Sequence, residues 1–216
     1  MNDVEEILDR EFKIRKDATD CLAKIEPCLA VVRSFGDIRI DGALKYRLMV
    51  DRDIDLICSV QPRLAPPLMG RLLGKLTEVA FGIDGIMRMK IVDFERNTPP
   101  QGKPRGVWIG ISVELDRTLW SVDIWIVAAV DKSKMNQKIN FTAEQEALLT
   151  NLSESQRAAI LVAKERFTRP IATVRQFTSS DIYREFLVDT KVNGTELIEM
   201  VGRKVKSAAQ GVPRAQ

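Results

Sequence analysis

The stretch Asp53-Ile54-Asp55-Leu56 sets two carboxylates one residue apart, each followed by an apolar side chain. Alternate residues of a β-strand point to opposite faces, so a strand here sends both acids to one side and Ile54 and Leu56 to the other. Alone, such a pair also describes the wet face of an amphipathic strand, and its meaning depends on what joins it. The segment Trp120-Ser121-Val122-Asp123-Ile124-Trp125-Ile126-Val127 reads as a buried strand with one acid among aromatic and branched residues. A lone carboxylate there is costly unless it is paired or bound to a cation. Beside the first strand, Asp123 would complete a cluster of three mutually repelling acids, which makes most sense as a site for a divalent metal and a phosphate-rich ligand. Hard oxygen donors suit magnesium, which is usually held by one or two carboxylates together with substrate phosphates.

The run from Ile40-Asp41-Gly42-Ala43 through a short spacer to Asp53-Ile54-Asp55-Leu56, with the distant Asp123, resembles the nucleotidyltransferase superfamily related to DNA polymerase beta, and within it bacterial-type members. The likeness spans about Val31 to Val130, with a weaker echo in the C-terminal helices. It implies an α/β fold, a small mixed β-sheet flanked by helices and followed by a helical C-terminal region. The expected division is a catalytic domain over residues 1–140 and a helical region over 141–216 that shapes an acceptor pocket or supports the core.

By the same resemblance Asp53 and Asp55 hold two magnesium (or manganese) ions, and Asp123 binds the catalytic one and helps activate an acceptor hydroxyl. Gly42 and Ala43 lie where the family contacts the nucleoside triphosphate. Ala43 departs from the family's Ser or Gly: its backbone N–H remains, but no hydroxyl is present to bond a phosphate oxygen. Losing one neutral hydrogen bond costs on the order of 1 kcal/mol, which weakens nucleotide binding without abolishing it. Lys45 and Arg47, beside the turn, are further candidates for phosphate contacts, although surface cations commonly do no more than solvate a face. The implied activity is transfer of a nucleoside monophosphate from a triphosphate to an acceptor hydroxyl on a small molecule, a nucleic-acid end or a protein. The contrasting expectation is a non-catalytic module of the same fold that binds nucleotide or a protein partner.

Several chemistries are excluded by composition. The chain has no histidine, which removes a Ser-His-Asp triad, a His-based zinc site and an imidazole general base. No Gly-x-x-x-x-Gly-Lys-Ser/Thr loop occurs. A two-metal phosphatase or nuclease would also cluster acids, but the absent histidine and the turn ahead of the acids suit a triphosphate better. The net charge of +3 is too mild to call for a long nucleic acid. No run of about 18 or more apolar residues is present and the start is acidic, so the expectation is a cytoplasmic protein without a membrane partner. Cys21, Cys28 and Cys58 lack metal-ligand spacing and read as small buried hydrophobes.

Along the chain, periodicity predicts a helix from Val4 to about Leu29, with Pro27 near its end, then a strand or irregular entry over Val31 to Arg39. A short helix over Gly42 to Met49 offers its first amides to phosphates. Pro66 to Phe81 reads as a helix stopped by Gly82, Ile86 to Phe94 as a strand, and Asn97 to Gly106 as a loop. Val107 to Leu115 and Leu119 to Val130 form an expected hairpin. Trp108, Trp120 and Trp125 are assigned to packing. Further helices follow over Ser153 to Phe167, Ser180 to Asp189 and Thr195 to Lys206, after a capping box at Thr142 and Gln145, with a frayed tail from Ala208.

Overall fold

The computed structural model describes residues 3–61, 66–99, 103–128, 141–167 and 178–210, of which 3, 66 and 204–210 are described in backbone only. The chain divides into two compact units, one of Ile14–Lys45 and Asp51–Phe141, the other of Met1–Lys13, Tyr46–Val50 and Thr142–Gln216. The first helix, α1 (Asp3–Lys24), contributes to both.

The unit that carries the acids is built on a five-stranded mixed sheet. Its strands are β1 (Asp37–Asp41), β2 (Asp53–Val60), β3 (Ile86–Asp93), β4 (Val107–Leu115) and β5 (Thr118–Ala128), in the order β1-β2-β5-β4-β3. β2 and β5 are parallel, and the other neighbouring pairs are antiparallel. The parallel pairing is what sets the two acid-bearing strands side by side. One face of the sheet is apolar throughout its centre: Ile54, Leu56, Ile109, Ile111, Val122 and Ile124 are all buried. α2 (Glu26–Arg33) and α4 (Pro66–Phe81) pack on each other, and their buried residues Cys28, Leu29, Val32, Leu72 and Leu76 extend this core. The Cys58 thiol, on the same face, donates to Val32 O. All three cysteines are buried and free, and burial pushes each thiol up to about 11, which keeps it protonated.

The long N-terminal helix expected from periodicity is two helices. Pro27 stands in the first turn of α2, where its missing N–H leaves no intrahelical bond unmade. It opens the second helix instead of ending the first. Val31–Arg33 belong to α2, and the strand ahead of the turn is the shorter β1. β4 and β5 are joined by Asp116 and Arg117, both at positive φ (49 and 60), the backbone a tight two-residue hairpin requires. Ala129 and Val130, expected at the end of β5, lie outside the described residues.

The other unit is helical: α5 (Ala143–Thr150), α6 (Glu154–Phe167), α7 (Ser179–Val188) and α8 (Gly194–Gln210). Reciprocal capping boxes start α5 at Thr142 and Gln145 and α7 at Thr178 and Asp181. α6 packs on α7 and α8 around Ile160, Leu161, Ile182, Phe186, Leu197 and Val201. Lys164 is 2 % exposed within it and donates to Leu48 O at 2.5 Å and to Tyr183 Oη at 3.2 Å. The buried Glu11 carboxylate accepts from Arg157 at 2.9 Å. α8 continues to Gln210, past the expected start of the frayed tail. Among the described residues no helix is long and apolar enough to cross a membrane.

Candidate active site

The second face of the sheet carries the acids. Asp53 and Asp55 stand on β2 with Ile54 and Leu56 buried beneath them, the division that strand alternation demands. Asp123 is the register partner of Asp55 across the parallel pair, and Asp53 is opposite Ser121. Adjacent strands lie about 4.8 Å apart, so Asp55 and Asp123 are neighbours on one face. The register continues outward in both directions: Asp41 on β1 pairs with Asp55, Gly110 on β4 with Asp123, and Lys90 on β3 with Gly110. A single row, Asp41, Asp55, Asp123, Gly110, Lys90, therefore crosses all five strands.

Asp41 leads directly into α3 (Gly42–Tyr46). Gly42 has φ +63, and a Cβ there would collide with Asp55 Oδ2 and stand 3.2 Å from its Cγ. Only glycine combines that backbone with so close an approach to a carboxylate. Ala43 and Lys45 are half-buried on α3. Arg47, just past the helix, is exposed, has φ 58, and lies on the Tyr46–Val50 segment of the helical unit.

The electrostatics of the face reflect crowding of like charge. Burial by the surrounding protein, then the Asp55 and Asp123 charges, push the Asp53 carboxyl up to about 7, with Lys103 pulling the other way. The Asp53 side chain still reaches solvent, so water screens part of this repulsion. Asp123 is also raised, by burial first, against a hydrogen bond from the Trp108 indole and the Lys103 charge. Lys103 Nζ lies 5.7 Å from the Trp125 ring, and Phe94 stacks on the same indole at 5.6 Å. Ile57, Trp125 and Val127 form a small buried cluster beside the acids, with Phe94 and Trp108 packed on it.

Among the described residues no group of three or more His, Cys, Asp or Glu side chains forms a ready-made metal cage. A magnesium site does not need one, because that ion keeps several waters and takes substrate phosphates into its shell. The donor set fits a hard divalent cation in two respects: every candidate ligand is a carboxylate, and burial first, then the charges of Asp55 and Asp123, drives Asp53 toward taking a proton where no cation balances the face.

Asp41, Lys103, Trp108 and Gly110 had no sequence signal that marked them for this face. Asp41 directly precedes Gly42 in the sequence, but its membership follows from the β1–β2 register. Lys103 comes from a loop rich in Pro and Gly, and Trp108 is one of three tryptophans in strands.

No protein-family model matches the chain, and no curated protein does. Solved structures do. The poly(A) polymerase complex GLD-2–GLD-3 aligns at TM-score 0.54 and 14% identity, covering 90% of this chain and 61% of that one. The fold of this chain is that of the nucleotidyltransferases. The Cid1 poly(U) polymerase with Mg 3′-dATP bound aligns at TM-score 0.51 and 13% identity over 84% of this chain and 54% of that one. The GLD-2/RNP-8 complex aligns at TM-score 0.54 and 11% identity, over 88% and 57%. The chain thus spans less than two thirds of the length of each. At such identities the likeness concerns the α/β architecture, a mixed sheet with flanking and C-terminal helices.

Proposed function

We infer that the chain is a metal-dependent nucleotidyltransferase, which moves a nucleoside monophosphate from a nucleoside triphosphate to an acceptor hydroxyl. The observation that carries the reading is the placement of Asp55 and Asp123 as register partners, with Asp53 on the same face and Gly42 packed against Asp55. The fold shared with poly(A) and poly(U) polymerases supports it. In this reading Asp53 and Asp55 hold magnesium or manganese, Asp123 joins the catalytic ion, and the cations when bound neutralise phosphate charge and polarise the α-phosphate. Asp123 orients the acceptor hydroxyl and takes its proton as the oxygen attacks. The acceptor oxygen forms a bond to the α-phosphorus, the bond from that phosphorus to its bridging oxygen breaks, and pyrophosphate leaves.

The backbone amides of Gly42 and Ala43 serve the triphosphate, with Lys45 as a further phosphate contact. Residues 1–140 supply the catalytic domain and 141–216 a helical region. The acceptor is a small molecule, a nucleic-acid end or a protein, and the reaction belongs in the cytoplasm, where nucleoside triphosphates are abundant. Ala43, with no hydroxyl for a phosphate oxygen, favours a second reading in which the fold binds nucleotide without turnover.

Thermal melting tests the site. Magnesium or manganese with a nucleoside triphosphate stabilises the folded state by about 2.7 kcal/mol at a hundredfold excess over the dissociation constant. The wild type should melt higher with both present, and an Asp53→Asn, Asp55→Asn variant should not. Equal shifts in the two proteins would place the binding elsewhere, and no shift in either would remove the reading.

A further inference from the structure

Gly110 interrupts the row of side chains beside the acids. It is the register partner of Asp123 on one side and of Lys90 on the other. The space above it is filled from its own strand: a Cβ at residue 110 would stand 2.7 Å from Cζ2 and 2.8 Å from Cη2 of Trp108. Cε2 of the same indole, the atom bonded to Nε1, is 3.4 Å from that point. Residues two apart on a strand share a face, so the Trp108 ring is turned along β4 over the glycine, toward the Asp123 row. Lys90 Nζ lies 5.8 Å from the ring centroid, which adds a cation–π contact to the same indole.

We propose that Trp108 is a positioning residue for Asp123, its indole N–H holding the carboxylate beside Asp55, with Gly110 left bare so that the ring can reach. The proposal rests on the nucleotidyl-transfer reading for its purpose, and on the geometry of β4 and β5 for the contact. An indole N–H suits the task because it donates and cannot accept, so it fixes a carboxylate without adding charge. A lysine in its place would repel the incoming cation. A carboxylate held by a fixed donor presents its remaining lone pairs in one orientation, and partners of this kind, one step outside the ligand shell, are worth about 10–100-fold in metal affinity.

Indole-labelled full-length protein tests the contact without any metal. The three Nε1–H resonances are assigned with Trp→Phe variants, and Asp123→Asn is then introduced. The Trp108 resonance should move upfield, and farther than that of Trp120, which is buried on the opposite face. A Trp108 resonance unmoved by Asp123→Asn overturns the contact. Calorimetric Mn2+ titration tests the role: Trp108→Phe and Gly110→Ala should each weaken binding about tenfold. Trp108→Phe should add nothing on the Asp123→Asn background, since the two residues would act as one unit. A wild type that binds Mn2+ and a Trp108→Phe variant that binds it equally well overturn the proposal while leaving the nucleotidyl-transfer reading intact. A wild type that takes up no Mn2+ overturns that reading, and Trp108's role toward the ion with it.

Discussion

Asp53→Asn should stabilise the protein above neutrality when no divalent ion is present. The carboxyl is held at about 7 in the folded chain, against an ordinary value near 3.8, by burial and by Asp55 and Asp123. Between those two values the native state keeps a proton that the unfolded chain has released, so stability falls as pH rises across the window. Three units correspond to a ceiling of about 4 kcal/mol, at roughly 1.4 kcal/mol per unit. Asp53 is exposed, and solvent screening reduces interactions of such groups to about 1 kcal/mol. In a chain of this size that is about 2–4 °C in melting temperature. Wild type and Asp53→Asn are melted in EDTA at pH 4 and pH 8. The variant should be more stable at pH 8, and the gain should be smaller at pH 4, where the wild-type carboxyl is protonated in the folded state and partly so in the unfolded chain. A variant no more stable than the wild type at pH 8, or one equally favoured at both pH values, would refute the claim that the three acids repel one another across this face.

Gly42→Ala should lower stability by about 1–2 kcal/mol, the cost of a left-handed backbone for a residue with a Cβ, and weaken nucleotide binding through its collision with Asp55; a denaturation midpoint and a calorimetric titration measure the two effects. Ala43→Ser should tighten triphosphate binding by about 1 kcal/mol by returning a hydroxyl to the turn, read as a lower dissociation constant with a non-hydrolysable triphosphate. Lys164→Met should cost the helical unit about 1–3 kcal/mol by leaving the buried Leu48 carbonyl without its donor, seen as an earlier urea transition in helical circular dichroism.

Much of the sheet was legible because its signals are local. Pro66, Pro67 and Gly82 bracket α4, whose bounds Pro66–Phe81 are the expected ones. Alternation around Asp53, Asp55 and Asp123 places each acid opposite a buried apolar face, and the parallel pairing then brings Asp55 to Asp123. The break between α1 and α2 was hidden because Cys21, Ile25, Cys28 and Leu29 are buried on both sides of it and keep one helical period across the junction. β1 was misplaced for a different reason: Asp37-Ile38-Arg39-Ile40-Asp41 is short and charged, and its strand form comes from pairing with β2. Asp41 and Gly110 enter the acid row through register between strands distant in sequence, which no local pattern encodes, and Trp108 meets the row through its ring over Gly110.

The most direct measurement follows the α-phosphate. Wild type and an Asp53→Ala, Asp55→Ala variant are incubated with magnesium and each nucleoside triphosphate, labelled in parallel at the α- or the γ-position, in cell extract. Nucleotidyl transfer predicts that the wild type moves α-label onto an acceptor and leaves γ-label in pyrophosphate, and that the variant moves neither. Transfer of γ-label, or equal α-labelling by both proteins, would contradict the assignment of these acids to nucleotidyl transfer.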